Sequence, residues 1–325
     1  MEPMDLKEFF KQAHLNHLRS LPPDEIWEAD PEVLKGITNR KAKQLRGKGI
    51  LTVRELILAD VPLVPINPKL LCYLQKRPRY DPGPPCSWER KFEQAPLTFY
   101  QARPANRFRT DFGPVYYRGR LNGTAKILIV GQDPATDEIL AQRAFVGLSG
   151  QRVQGLLNKV GITASYVMLN AFLYGIFQQF DTEMRNISLE PDILNYRNSL
   201  FDKVKAENSL QLILTFGNGA EHAIQHWPGR TGIPWIDLTH PAASNNFVSA
   251  NWNSKLADLH TAVAPDDASV VDLSAYPVNM AGAEAPIPRK DLPFGIPSWH
   301  GAMGDTRSQR DGNRTKIQQA LQSIT

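Results

Sequence analysis

Three short apolar runs in the chain end directly in reactive side-chain types. KILIV (126–130) runs into Gly131-Gln132-Asp133-Pro134, SYVMLN (165–170) closes on Asn170, and IPWIDL (233–238) leads to Thr239-His240-Pro241-Ala242-Ala243-Ser244. Between the first two lies Arg143-Ala144-Phe145-Val146-Gly147-Leu148-Ser149-Gly150, which contributes an aromatic ring. A carboxylate can steady a developing cation, and an imidazole can donate to a departing anion. A ring together with an amide edge can hold and read a flat polar heterocycle. Taken singly, each residue has a plainer reading: a turn aspartate, a core phenylalanine, a turn asparagine, a satisfied histidine. They do chemistry together only if the fold brings the run ends to one place.

The elements that would do so are legible as patterning. Strand-length runs at 126–130, 165–170, 210–216 and 233–238 alternate with helical periodicity at 150–160, 192–207, 219–227 and 252–263, which predicts a parallel sheet covered on both faces. The fold expected over 97–264 is therefore an open parallel-sheet α/β/α sandwich. In such sheets the site lies beyond the carboxyl ends of the strands, where all three run ends fall. Eight prolines between residues 61 and 96 read as a connector, since proline removes an amide donor and disfavours helix at its predecessor. Residues 1–60 then form a small helical unit. Residues 265–325 read as an irregular C-terminal arm, a wrap or a mobile segment, with a basic stretch from Arg307 to Lys316 and a short helix candidate at 315–323.

Composition sets limits. The 325 residues carry 37 Lys+Arg and 33 Asp+Glu and are 42% hydrophobic, as in an ordinary globular protein. Cys72 and Cys86 are too few for a disulfide framework, a four-thiolate zinc site or a four-cysteine iron–sulfur cluster. The opening MEPMDLKEFFKQAH lacks an uninterrupted apolar stretch, so neither export nor a membrane anchor is expected and the setting reads as cytoplasmic. His222 and His226 have metal-ligand spacing on a helix face, but no third ligand stands beside them in the pattern, so no metal is expected. No cofactor motif is present either: Gly147-Leu-Ser-Gly150 lacks both the P-loop lysine and the dinucleotide glycine pattern.

Positive charge concentrates at the N-terminal end. Seven basic residues and no acidic one lie between Lys35 and Arg54. The segment 34–56 resembles a helix-hairpin-helix element, with Leu34, Ile37, Ala42, Leu45, Ile50, Val53 and Leu56 as its apolar set. Its hairpin would be Gly36-Ile37-Thr38, with Thr38 where the second glycine usually stands. That resemblance implies phosphate contacts through Gly36, Lys41, Lys43 and Lys48. A helical bundle that only packs is the alternative.

The ordered set GQDP, AFVGLSG, VMLNAFL and LTHPAAS resembles the uracil-DNA glycosylase superfamily over residues 125–255. The resemblance implies that Asp133 orients water and steadies a cationic sugar, that Phe145 stacks on an extruded base, that Asn170 reads the base edge and that His240 faces the departing O2. It also places Gln132 and Ala135 at the base, and Ser244 and Phe247 against DNA, with Phe247 or Val248 filling the vacated stack. Hydrolysis of an N-glycosidic bond needs an anion beneath the sugar and donors around the base, and a base inside a duplex must first be flipped out. The implied activity is that of a monofunctional DNA glycosylase that leaves an abasic site, since no lysine or N-terminal proline is positioned for Schiff-base chemistry. A monomer is expected.

The departures from the family pattern bear on substrate. Ala135 stands where uracil-specific members carry a blocking tyrosine, which opens room on the order of 100 Å³ for a C5 substituent. Uracil and C5-modified pyrimidines are both candidates, so repair and defence against phages with modified DNA both stay open. Two cysteines do not make the four-cysteine cluster of the iron–sulfur members, and no basic insertion of the covalently trapping members follows Phe145. The competing functional class is a non-catalytic module that binds DNA lesions or ends; it would have no need of both Asp133 and His240.

Overall fold

The computed structural model describes residues 10–15, 29–47, 49–58, 80–104, 106–177, 179–293 and 296. Two compact units divide the chain between Arg79 and Tyr80.

In the first unit, Phe10 bridges Leu34 and a 3-10 turn spans Pro31–Val33. Helices α1 (Asn39–Gly47) and α2 (Val53–Leu58) follow. Thr38 caps α1 by accepting from the Lys41 N–H at 3.3 Å. Thr52 and Glu55 exchange backbone-to-side-chain hydrogen bonds of 3.1 Å in each direction at the start of α2, a capping box. All seven apolar residues of the expected set are buried. The glycine turn is present, with Gly36 at φ 85°, but it joins a three-residue 3-10 turn to α1 rather than two helices. Lys43 is exposed and Lys41 half-buried, whereas Arg46 is committed to Asp30 and Glu32 at 2.7 and 3.1 Å. Lys48 lies outside the described residues, as does most of the expected connector.

The second unit is built on a five-stranded sheet: β1 (Arg118–Gly119), β2 (Ile127–Gly131), β3 (Tyr166–Asn170), β4 (Leu212–Phe216) and β5 (Trp235–Leu238), in the order 1-3-2-4-5. β2 to β5 run parallel in register, and β1 pairs antiparallel with β3. β1 breaks the all-parallel expectation, and two residues of Arg-Gly leave no hydrophobic period to detect. Strand alternation sends Ile127, Ile129, Tyr166, Met168, Leu212 and Leu214 to one face, against α6 (Leu148–Lys159) and α10 (Asn245–Ala262). Leu128, Val130, Val167, Leu169 and Ile213 face the other way, against α8 (Pro191–Glu207) and α9 (Asn218–Gln225). No described helix is long and apolar enough to cross a membrane.

One boundary differs from the sequence reading. The stretch 80–96 is not connector: α3 (Cys86–Phe92) buries Trp88 completely in the second core, and its indole donates to Glu207 at 2.7 Å. Of the two readings of the C-terminal arm, residues 276–292 follow the wrap: Tyr276, Met280, Ala283, Ile287 and Leu292 are buried. Asp291 has no exposed surface and pairs with Arg120 at 2.7 Å and Arg118 at 3.4 Å. The basic stretch Arg307–Lys316 and the 315–323 helix candidate lie outside the described residues.

Candidate active site

The carboxyl ends of β2, β3, β4 and β5 share one rim, and the loops leaving them carry the residues singled out above. Gly131 ends β2, and a methyl there would collide with Asn170 Oδ1 and come within 2.7 Å of the Phe145 ring. Only a residue without a side chain lets amide and ring converge over this strand end. Phe145 itself sits in the left-handed region at φ 53°. A non-glycine residue persists there only when its surroundings over-determine it. Here both backbone polar groups are pinned: the N–H donates to Glu138 Oε1 at 2.6 Å, and the C=O accepts from the buried Arg118 guanidinium. The ring packs 5.8 Å from Phe216 at the end of β4.

Asp133 follows in the β2 loop. Its Oδ2 accepts the Ile176 N–H and its Oδ1 the Gln132 amide, both at 2.9 Å. Burial pushes its carboxyl up to about 6, opposed by those two hydrogen bonds and by the charge of Arg109. Gln132 therefore spends a donor on Asp133 rather than standing free, and its side chain lies against Gly219 in the first turn of α9. Ala135 is exposed at the start of α5 (Thr136–Ala141), with its N–H held by Glu138 Oε2 at 2.7 Å.

Glu138 is the residue that sequence reasoning missed. It is buried, and besides the Ala135 and Phe145 amides it accepts from Asn170 Nδ2 at 3.3 Å. One carboxylate thus ties together the backbone at the start of α5, the backbone of Phe145 and the side-chain amide of Asn170. With Nδ2 turned to Glu138, Asn170 keeps Oδ1 and one amide hydrogen for other partners. Burial pushes the Glu138 carboxyl up to about 7; its three hydrogen bonds oppose this and the nearby Asp133 adds to it. The available signal was its position three residues after Ala135, where an acidic side chain reaches back to the first free amide of a helix.

His240 follows β5 and packs against Gly217, where a Cβ would lie 3.1 Å from His240 Cβ. The Ala242 N–H donates to its Nδ1 at 3.1 Å, so the proton of the neutral ring sits on Nε2. The residue reaches the surface, yet the surrounding protein displaces enough water to lower its pKa from the ordinary histidine value. Ser244 is exposed at the N-cap of α10, and Phe247 in its first turn is 66% exposed. Val248 is fully buried, which removes it as a candidate for the vacated stack. His222 on α9 and His226 at its C-cap bring their ring centroids to 4.4 Å at a 46° tilt, and no metal-holding group of three or more His, Cys, Asp or Glu occurs among the described residues.

Residues 118–260 match the family model for the uracil DNA glycosylase superfamily. No curated protein matches the chain.

Proposed function

Residues 118–260 belong to the uracil DNA glycosylase superfamily, and from that premise we propose that the protein is a monofunctional DNA glycosylase acting on a pyrimidine. The extruded base stacks on Phe145 and meets the Asn170 amide, and the Asp133 carboxylate lies on the sugar side. Bond cleavage builds positive charge on the sugar and negative charge on the base. Ionised Asp133 steadies the first and orients the attacking water; the Nε2–H of neutral His240 donates to the second. Water then adds to the sugar, the base leaves, and an abasic site remains.

The observation that carries this reading is the convergence of Phe145 and Asn170 over Gly131, one residue from the loop that holds Asp133. Ala135, small and exposed beside that loop, supports a pocket open at C5, so the substrate is uracil or a C5-substituted pyrimidine. Release of a modified base from foreign DNA would make the role defence; release of uracil alone would make it repair. Incubation with uracil-containing, plain and hypermodified DNA, followed by mass spectrometry of the freed bases, decides between them. Binding without release of any base would instead favour a lesion- or end-binding module.

A further inference from the structure

A short ribbon flanks the rim on the β3 side. Phe108 bridges Ile176 antiparallel, Arg109 N–H donates to Gly175 O at 2.8 Å, and Phe177 N–H donates to Arg107 O at 3.2 Å. The ribbon is tied to the site by the Ile176 N–H on Asp133, so Phe177 stands one residue from the candidate catalytic carboxylate. Gly175 brings it close: a Cβ there would lie 2.5 Å from Pro134 O and 3.5 Å from Arg109 Cδ. Phe177 nevertheless leaves 46% of its surface exposed, with the Arg109 guanidinium 4.9 Å from its ring centroid. Arg107 is neutralised by Glu183 and by Asp181 at 4.0 Å, whereas Arg109 is exposed and has no ion-pair partner among the described residues.

We infer that Phe177 and Arg109 form a stacking platform for the nucleobase next to the extruded one, with Arg109 also meeting the adjoining phosphate. An exposed ring has no packing reason to stand beside a charged site, while base–aromatic stacking tolerates any sequence and suits a strand whose stack has just been broken. The guanidinium over the ring adds a planar cation that can itself stack or bind phosphate. This position is separate from Phe247, which leaves the β5 side of the rim. The inference rests on reading the rim as a DNA site, but not on which base is released.

The test uses the full chain and a single-stranded oligonucleotide of ordinary bases with a stable tetrahydrofuran abasic analogue, carrying 2-aminopurine on one or the other side of it. Wild type is expected to change the 2-aminopurine emission at one of the two positions. Phe177→Ala should abolish that change and weaken binding roughly tenfold, the scale of one lost base–aromatic stack. Phe177→Trp should preserve both, and Arg109→Ala should cost about threefold in affinity, the smaller effect of an exposed cation–π contact. The ring is half exposed, so an unchanged thermal midpoint in Phe177→Ala separates lost stacking from lost folding. Wild-type emission and affinity in Phe177→Ala would overturn the platform, as would a wild type that fails to bind the oligonucleotide. Failure to release any base from DNA would count against the glycosylase reading alone.

Discussion

Around Gly131, the Phe145, Asn170 and Glu138 groups are buried and hold one another by hydrogen bonds of 2.6 and 3.3 Å, with Arg118 closing the set from behind. Beyond β5, His240 and Phe247 reach the surface, and Phe247 has no such anchoring. The first half of the rim is rigid enough to keep a phenylalanine in a left-handed backbone; the second presents exposed rings to whatever arrives. Preorganised dipoles act best where charge develops or where an edge must be read. A surface that meets a deformable duplex gains from remaining open.

Breaking the buried half should cost most. Replacing Asp133 with Asn is expected to slow single-turnover base release by two or more powers of ten with little change in DNA affinity, because the lost interaction forms mainly in the transition state. Parallel losses in affinity and rate would point to a binding role only. Glu138→Ala comes next: it leaves the Ala135 and Phe145 amides without their acceptor, at about 1–3 kcal/mol for each unsatisfied group. Base release should fall between tenfold and a hundredfold as Phe145 and Asn170 loosen. A variant as stable and active as wild type would show that Glu138 positions nothing.

The same carboxyl gives a pH signature. Its folded pKa of about 7 lies above its ordinary value of 4.5, so the folded state binds the extra proton. The associated stability is fully present below about 4.5 and is lost as pH rises through about 7. Thermal melts should show that decline in wild type and a shallower one in Glu138→Gln, where Asp133 still titrates near 6.

Smaller effects belong to the open parts. Ala135→Tyr should cut release of a C5-substituted base at least tenfold relative to uracil, since the ring takes the substituent's space; equal effects on both substrates would show that Ala135 does not face C5. Phe247→Ala should reduce release from duplex DNA severalfold and leave single-stranded substrate nearly untouched, because only the duplex has a vacated stack to fill. Equal losses on both forms would place Phe247 outside that role.

Much of the buried half was written in the sequence and some of it was not. The four parallel strands begin within two residues of their apolar runs; β2, β3 and β4 are buried on both faces, which demands continuous hydrophobicity, whereas β5 is only partly buried and carries an exposed Asp237. Asp133, Asn170 and His240 were visible because they stand at or just beyond strand ends, where a parallel sheet concentrates its chemistry. Glu138 was not, since an acidic residue early in a helix reads as an ordinary dipole partner until its burial is known. Nor was the bond from Arg118 to Phe145, which joins residues 27 positions apart, or the buried Asp291 that pairs with that arginine from the C-terminal segment. Pro82, Pro84 and Pro85 masked α3, although proline just before a helix is compatible with it. α10 starts at Asn245 rather than 252, because polar Asn and Ser residues in its first turns hide a period that Val248 and Trp252 anchor.

The pH profile of single-turnover base release tests the central claim most directly. On the proposed mechanism Asp133 acts ionised, and burial raises its carboxyl to about 6 against its hydrogen bonds, so the rate should climb with pH through about 6 and level off above it. His240, neutral because its pKa is lowered, should add no fall in rate on the alkaline side of the ordinary histidine range. Glu138→Gln should keep a rising limb, and Asp133→Asn should lose it from whatever activity remains. A rate that falls as pH rises through 6, or a limb that survives in Asp133→Asn, would contradict the account.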